Sequence, residues 1–217
     1  CVASLARLGV ETIDLFYLHR LNLETPLEES MGMLAQLRQE GKIRAVGLCE
    51  VSAATLRRAA AICPVAAVQS EYSLWTREPE QGVLAACREA GASFFAYSPL
   101  GRGFLTGAIA DASSLQAGDF RQFNPRFSSD NLVRNQAIAG LVRQFAHRQG
   151  CSPAQLALAW LLAQGDDIIP FPAPSVSPTC TTTWARCRCI WMGPRWRRWP
   201  PPFRWAWRRA NATRRRA

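Results

Sequence analysis

The sequence predicts a parallel α/β fold, and three observations lead to this prediction. Short runs of β-branched and aromatic residues recur through residues 1–170, and segments with helical periodicity separate the first four runs. These four begin at positions 13, 43, 65 and 93, which is the rhythm of repeated βα units. The runs are nearly continuously apolar, as in a parallel sheet covered on both faces. The predicted strands are 13–18, 43–48, 65–69, 93–97 and 168–170.

The helices follow from apolar spacing and from residues that begin or end a helix. The helix after the first strand carries its apolar residues on one face, at Leu27, Met31, Leu34 and Leu37. Gly41 ends this helix, and Gly91 ends the helix of residues 81–90 in the same way. A polar loop at 101–130 comes after the fourth strand, a place where α/β proteins often carry ligand sites. Another helix has an apolar face at Ile138, Leu141, Val142 and Phe145, and Ser152 with Gln155 begins the last helix as a capping box.

The strand pattern alone leaves two architectures open. A closed (β/α)8 barrel needs eight strands and about 250 residues. An open doubly wound sheet can be built from the five strands predicted here. No Gly-x-Gly-x-x-Gly follows any of these strands. This absence argues against a doubly wound sheet of the dinucleotide-binding type.

The formal charge of +10 belongs to the end of the chain. Eleven of the 26 basic residues and six of the eight Trp lie in residues 171–217, and no acidic residue follows Asp167. Residues 1–170 carry 15 basic and 16 acidic side chains, a net charge of −1. Because the body of the chain is near neutral, we expect neither nucleic acid nor a membrane as its partner.

Cysteine usage and hydropathy favour a cytoplasmic protein without a metal site. The eight Cys are scattered and only two His are present, which argues against zinc and against a disulfide framework. The longest apolar stretch, residues 59–68, is interrupted by Pro64 and is far shorter than the ~20 residues that span a bilayer. The chain begins inside a helical pattern at residues 2–8, so we expect it to be a piece of a longer protein.

Four ordered motifs identify the family that this chain resembles. Residues 4–9 and 13–20 (SLARLG and IDLFYLHR) resemble the fourth-strand signature of the aldo-keto reductases, and residues 41–48 (GKIRAVGL) resemble their fifth strand. Residues 69–74 (QSEYSL) and 96–103 (AYSPLGRG) are similar to their sixth and seventh strands. The resemblance implies an α/β fold with residues 1–172 as a partial (β/α)8 TIM barrel of strands four to eight. It also implies an oxidoreductase that reduces aldehydes or ketones with NADPH.

His19 is the catalytic residue that the resemblance implies. It follows a strand at its carboxyl end, which is the functional face of a barrel. A neutral imidazole there can donate a hydrogen bond to a substrate carbonyl and orient it. In the family the matching His does so beside a Tyr general acid. Without the family, His19 is equally well explained as the cap of a strand end.

Other strand ends carry the residues that the resemblance assigns to the cofactor. Gln69 matches the position that grips the nicotinamide carboxamide, and Tyr97 matches the ring that stacks on the nicotinamide. Each could instead be an ordinary core or rim residue. The next turn could approach a pyrophosphate through Ser98, Pro99, Leu100, Gly101 and Arg102. Cys49 and Glu50 replace the family's Ser-Asn, and a Glu carboxylate accepts from a carboxamide but cannot donate to it.

Both ends of the chain depart from the family. The catalytic Asp, Tyr and Lys of the family lie in its first three βα units, whereas here the only Lys is Lys42 and no Tyr precedes Tyr17. We therefore expect that this polypeptide alone does not reduce carbonyls. Residues 173–217 replace the segment that binds the adenosine 2′-phosphate with a run rich in Arg, Trp and Pro. If residues 173–217 are back-translated with suitable synonymous codons, moving the reading frame by one base near Pro172 gives a family-like sequence. We therefore expect an out-of-frame, irregular or disordered tail.

Two other functions remain open at this stage. Some proteins that resemble this family are regulatory subunits of potassium channels, which bind the cofactor and act mainly as partners. Arg interleaved with Trp could also bind phosphates and stack on bases, although residues 171–217 contain seven Pro and have no helical period. Neither the particular carbonyl substrate nor the oligomeric state follows from the sequence.

Overall fold

The computed structural model describes residues 1–109 and 111–171, with only the backbone of Ala112. The predictions for residues 173–217 lie outside this part of the chain. The described residues form two compact units. The first comprises residues 1–72, 77–97 and 165–171, and the second comprises residues 73–76 and 98–164.

The first unit is a five-stranded sheet with helices between its strands. The strands are β1 Ile13–Leu18, β2 Ile43–Cys49, β3 Val65–Glu71, β4 Ser93–Tyr97 and β5 Ile168–Phe171. The helices are α1 Val2–Leu8, α2 Leu27–Gln39, α3 Ala53–Ile62 and α4 Val83–Ala90. Neighbouring strands follow the chain order β1-β2-β3-β4-β5, and every pair is parallel.

This strand order decides between the two architectures that the pattern left open. A doubly wound sheet reverses its strand order at a switch point, whereas a (β/α)8 barrel keeps neighbouring strands in chain order. The described sheet is strictly sequential and runs from β1 at one edge to β5 at the other. The predicted partial barrel is therefore confirmed, with five parallel strands that do not close.

One face of the sheet is covered by helices, and the other is partly open. Helices α2, α3 and α4 contact the central strands, where Leu48, Val68 and Phe94 are fully buried. Successive side chains of a strand point to opposite faces. On the opposite face of the edge strand β5, Ile169 is 40% exposed and Phe171 is 50% exposed.

The helices of the first unit begin and end at the residues that cap them. In α2 the predicted apolar face is buried at Leu27, Met31 and Leu34. Leu37, near the end of this helix, is only half-buried. The Ser52 hydroxyl accepts a hydrogen bond from the Thr55 N–H and so caps the beginning of α3. Gly91, with a φ of 66°, ends α4 in the left-handed conformation that glycine adopts readily.

The second unit is built around two helices, α5 Ser129–Arg148 and α6 Pro153–Leu162, which contact each other. The predicted capping box of α6 is confirmed, since Ser152 Oγ accepts from the Gln155 N–H at 3.2 Å and Gln155 Oε1 accepts from the Ser152 N–H at 2.9 Å. The loop between β4 and α5 contains short 3₁₀ helices at Gly101–Thr106, Ala112–Ser114, Phe120–Phe123 and Pro125–Phe127. Within the described residues, no helix is long and apolar enough to cross a bilayer.

Candidate active site

The parallel register brings together the residues at the carboxyl ends of the strands in the first unit. We call this side of the sheet its carboxyl edge. Cys49 at the end of β2 pairs with Gln69 of β3, and Glu71 at the end of β3 pairs with Tyr97 of β4. His19 follows the last residue of β1 directly. The carboxyl ends of parallel strands form the functional edge in barrels. The predicted site residues of this unit therefore lie together there.

A thiol and an amide meet at the centre of this edge. Cys49 Sγ lies 3.8 Å from Gln69 Oε1, with the thiol as donor. Burial raises the pKa of the Cys49 thiol, the Arg20 charge partly opposes this increase, and Glu50 adds to it. The thiol therefore stays protonated near neutral pH and can donate. Gln69 Nε2 makes no hydrogen bond to another described residue, so its hydrogens can donate to a ligand.

Glu50 turns back onto the neighbouring strand. Its φ of 52° lies in the left-handed region, which non-glycine residues seldom occupy. Its N–H donates to the Gln69 carbonyl at 2.9 Å. Its Oε1 accepts from the Glu71 N–H at 2.9 Å. The carboxylate oxygen that the sequence analysis assigned to the cofactor is therefore bonded to the main chain of β3.

Tyr17 lies near the end of β1, and His19 directly follows that strand. His19 is exposed, and its ring makes no hydrogen bond to another described residue. The Tyr17 hydroxyl is buried and has no hydrogen-bond partner among the described residues. Burial raises the pKa of Tyr17 to about 12, with a smaller contribution from Cys49. Tyr17 was not predicted as a site residue.

Gly47 makes room for the Tyr17 ring. The two residues pair directly across β1 and β2, and a Cβ on Gly47 would overlap the ring. The ring also meets Phe95 edge-on, with a centroid distance of 6.4 Å. A glycine inside a strand often marks such a close approach. That was the available signal, but it does not identify the partner side chain.

A buried tyrosine anchors the loop after β3. Tyr72 is fully buried, and its hydroxyl donates to Glu80 Oε1 at 2.8 Å. Arg77 Nε donates to the same carboxylate oxygen. Burial, and then the Glu80 charge, raises the pKa of Tyr72 well above its usual range. The Tyr72 N–H donates to the Tyr97 carbonyl at 3.4 Å, so this network also contacts the end of β4.

The single lysine of the chain lies at the amino ends of the strands, opposite the carboxyl edge. Lys42 comes immediately before β2, and its Nζ bonds Glu40 Oε2 at 2.7 Å. His19 comes immediately after β1, and β1 and β2 are parallel, so the two residues lie at opposite ends of the strands. Within the described residues no Lys therefore accompanies a Tyr beside His19. The same residues contain no group of three or more His, Cys, Asp or Glu that could hold a metal ion.

The predicted phosphate turn belongs to the second unit. Ser98, Gly101 and Arg102 have φ values of 49°, 58° and 56°, and Leu100 between them is right-handed, with φ −99° and ψ 14°. Pro99 is buried. Adjacent right- and left-handed residues direct neighbouring N–H groups to one side, which is how backbone nests bind anions. The Gly101 N–H already donates to the Ser98 carbonyl at 2.8 Å, which closes the turn.

Two residues that the sequence analysis did not single out hold this turn. A Cβ on Gly101 would lie 2.9 Å from the Trp75 ring, so the indole packs directly against the backbone. Arg121 Nη1 donates to the Arg102 carbonyl at 3.0 Å, and Arg121 Nε bonds Asp119 Oδ1 at 2.9 Å. These partners lie far from the turn in sequence and belong to no local motif, so spacing could not identify them.

Sequential parallel strands with polar side chains at their carboxyl ends define the class of (β/α)8-barrel proteins. Within that class, the family model described as "Aldo/keto reductase family" matches residues 1–179. The chain belongs to the aldo/keto reductase family, and the predicted resemblance is confirmed.

A curated relative and one solved structure agree with this membership, and a second solved structure agrees with the fold. The chain is 50% identical over 172 residues to the aldo-keto reductase yakc [NADP(+)] of Schizosaccharomyces pombe, and the match covers 78% of this chain and 51% of that protein. The glycerol dehydrogenase AKR11B4 of Gluconobacter oxydans has a TM-score of 0.76 at 29% identity, over 97% of this chain and 62% of that one. The thermostable aldo-keto reductase Tm1743, with a TM-score of 0.66 at 22% identity over 94% and 62%, supports the fold alone. The chain spans about half the length of the curated relative it matches.

Proposed function

We propose that this chain provides the carbonyl-orienting histidine and the cofactor-binding strand ends of an NADPH-dependent reductase of aldehydes or ketones. The observation that carries the proposal is the cluster of Cys49, Glu50 and Gln69 at the carboxyl edge where His19 follows β1. Family membership and the NADP(+) in the name of the Schizosaccharomyces pombe relative support the cofactor. When bound, NADPH supplies a hydride to the carbonyl carbon.

The residues of the chain fit this cofactor in chemical type. Gln69 Nε2 has hydrogens for the oxygen of a carboxamide, because it bonds no other described residue. Tyr97 at the end of β4 presents an aromatic ring suited to stacking on a flat heterocycle. In the second unit, the left-handed turn of residues 98–102 offers backbone N–H groups and the Arg102 charge to a pyrophosphate.

His19 acts on the substrate in this proposal. Its exposed imidazole would donate a hydrogen bond to the carbonyl oxygen, which polarises the C=O bond and fixes its direction. The negative charge that develops on that oxygen during reduction strengthens the same hydrogen bond. The carbonyl oxygen must also receive a proton to become an alcohol.

Neither Tyr17 nor Lys42 is suited to donate that proton. The pKa of about 12 makes Tyr17 a poor acid near neutral pH, and no cation among the described residues lowers this value. Lys42 is bonded to Glu40 at the opposite ends of the strands. We therefore propose that this polypeptide alone does not reduce carbonyls and that its family's proton donor has no counterpart in it.

A rate measurement tests this proposal. NADPH oxidation is followed with the purified chain and a simple aldehyde, beside the His19→Ala variant. The expected result is no rate above background for either protein. A rate that His19→Ala abolishes would contradict the proposed lack of turnover, because it would require a proton donor within the chain.

The cysteines support a reducing compartment. Five of them lie in the described residues, and all five are free thiols: Cys1, Cys49, Cys63, Cys87 and Cys151. Secreted proteins commonly pair their cysteines, whereas cytosolic proteins keep them reduced. We therefore propose the cytoplasm as the location of this protein. From the proposed reaction, its partner is a small carbonyl compound.

A further inference from the structure

We infer that Glu50 is a positioning residue, whose hydrogen bonds to the main chain of β3 hold the segment that carries Gln69. The inference rests on the proposed function for the role of Gln69. It assigns the Cys49–Glu50 pair, which departs from the family's Ser-Asn, a function in shaping the site.

The end of β3 needs a hydrogen-bond acceptor that β2 does not supply. β2 ends at Cys49, whereas β3 continues to Glu71, and Cys49 pairs with Gln69. In a parallel sheet the N–H groups of a strand point alternately to its two neighbours. The Tyr72 N–H bonds the Tyr97 carbonyl on the β4 side, so the Glu71 N–H faces the β2 side, beyond the last strand residue. Glu50 Oε1 accepts this N–H at 2.9 Å and takes the place of a strand carbonyl.

Glu50 also bonds β3 at Gln69, the residue before Ser70. The Glu50 N–H donates to the Gln69 carbonyl at 2.9 Å. Glu50 therefore bonds the main chain at Gln69 and again at Glu71. Both bonds are made with the Glu50 backbone in the left-handed region, at a φ of 52°. Non-glycine residues keep such a conformation where the surrounding contacts enforce it, often at functional sites.

This geometry determines what Gln69 can offer to a ligand. Its main chain is fixed by Glu50, and its side-chain oxygen accepts from the Cys49 thiol at 3.8 Å. The amide plane is thereby oriented with Nε2 as the remaining donor. The carboxylate of Glu50, in turn, bonds an N–H that is part of the sheet, and Glu71 itself is buried. This hydrogen bond gives Glu50 a part in orienting the strand segment that carries Gln69.

The experiment compares amide exchange at Glu71 in three variants of the full chain, measured by NMR without cofactor. Glu50→Ala removes the acceptor, and Glu50→Gln keeps an oxygen that can accept. Glu50→Gly removes the acceptor but relieves the left-handed backbone, so it separates strain from the hydrogen bond. We expect Glu71 to exchange about tenfold faster or more in the Ala and Gly variants and to stay close to wild type in the Gln variant. Glu24→Ala, at an exposed carboxylate in the loop before α2, is the control and should leave this amide unchanged.

Cofactor binding is the second measurement, made by titrating the fluorescence of NADPH. We expect the Ala and Gly variants to bind more weakly in step with their faster exchange, and Glu50→Gln to restore both. Unchanged Glu71 exchange in Glu50→Ala would overturn the inference, and so would weaker NADPH binding with unchanged exchange, which is the behaviour of a direct ligand. Faster exchange with full NADPH affinity would also overturn it. A wild-type chain that does not bind NADPH would contradict the proposed function, and the exchange rates would still decide the role of Glu50.

Discussion

The Tyr17 ring packs directly over Gly47 of the neighbouring strand. This contact stabilises the two strands near the candidate site. The Tyr17 ring occupies the space that a side chain at Gly47 would take. We expect Gly47→Ala to lower the free energy of unfolding by about 1–3 kcal/mol, because added atoms in a packed region force side chains and backbone to move. Urea denaturation followed by far-ultraviolet circular dichroism measures this change.

The matched control for that substitution is Gly32→Ala. Gly32 lies within α2, and a Cβ there meets no atom of the described residues within 4 Å. Because alanine is the better helix former, Gly32→Ala should raise stability by about 0.5–1 kcal/mol. Equal effects of the two substitutions would contradict the packing of Tyr17 on Gly47.

The Tyr17 hydroxyl predicts a pH dependence of stability. Its pKa in the folded chain, about 12, lies above the ordinary value of 10.0 because burial disfavours the phenolate. The protonated phenol therefore contributes stability that is fully present below pH 10 and is lost as the pH rises through about 12. We expect Tyr17→Phe to reduce the fall in unfolding free energy across this range, measured by urea denaturation at several pH values. A variant curve parallel to that of wild type would contradict the burial of this hydroxyl.

The turn of residues 98–102 offers a test of how a neighbouring ring fixes backbone geometry. Gly101 has a φ of 58° and lies against Trp75. Gly118 has a φ of 84°, and a Cβ added there would meet no atom of the described part of the chain within 4 Å. Substitution by Ala strains the backbone at both sites, and only Gly101→Ala also meets the indole. We expect Gly101→Ala to cost about 1–3 kcal/mol more than Gly118→Ala in urea denaturation. Equal losses would show that Trp75 does not restrict this turn.

The strands and helices could be predicted because their signals are local. The strand starts, the capping box at Ser152 and the stop at Gly91 are each read from a few adjacent residues, and the structure confirms them. The final residues of β3 were missed, since the pattern ended the strand at Gln69 whereas pairing with β4 continues to Glu71. Strand length here depends on a partner strand, which local spacing does not contain.

The chemistry at the strand ends was predictable in residue type but not in contacts. Parallel sheets align their carboxyl ends, so Gln69 and Cys49 could be placed at one edge before their register was known. The bond from Glu50 to the Glu71 N–H depends on where β2 stops relative to β3. Likewise, Arg121 reaches the Arg102 carbonyl through the folding of a long loop. Such contacts follow from tertiary structure, which the sequence pattern specifies only indirectly.

The unpaired outer strands of the five-stranded sheet predict self-association of the whole chain. β5 is an edge strand, and its residues Ile169 and Phe171 are 40% and 50% exposed. Exposed apolar edge strands pair with other chains, and charged side chains prevent this. We expect Ile169→Lys with Phe171→Lys to lower the apparent mass at high protein concentration, measured by light scattering. Leu23→Lys changes an apolar side chain that is 98% exposed outside the sheet, and this control should leave the association unchanged. Equal effects of the two changes would contradict an edge-specific association.

We propose that the strand ends of this chain form the nicotinamide-binding part of an aldo/keto reductase. Gln69 is the most direct test of this claim, because the Cys49 thiol orients its amide and leaves Nε2 as a donor. The measurement is the affinity for NADPH, from fluorescence titration of the wild-type chain and of Gln69→Ala. We expect saturable binding by wild type and about tenfold weaker binding or worse by the variant, the effect of losing one well-placed hydrogen bond. No binding by wild type, or equal affinity of the two proteins, would contradict the claim.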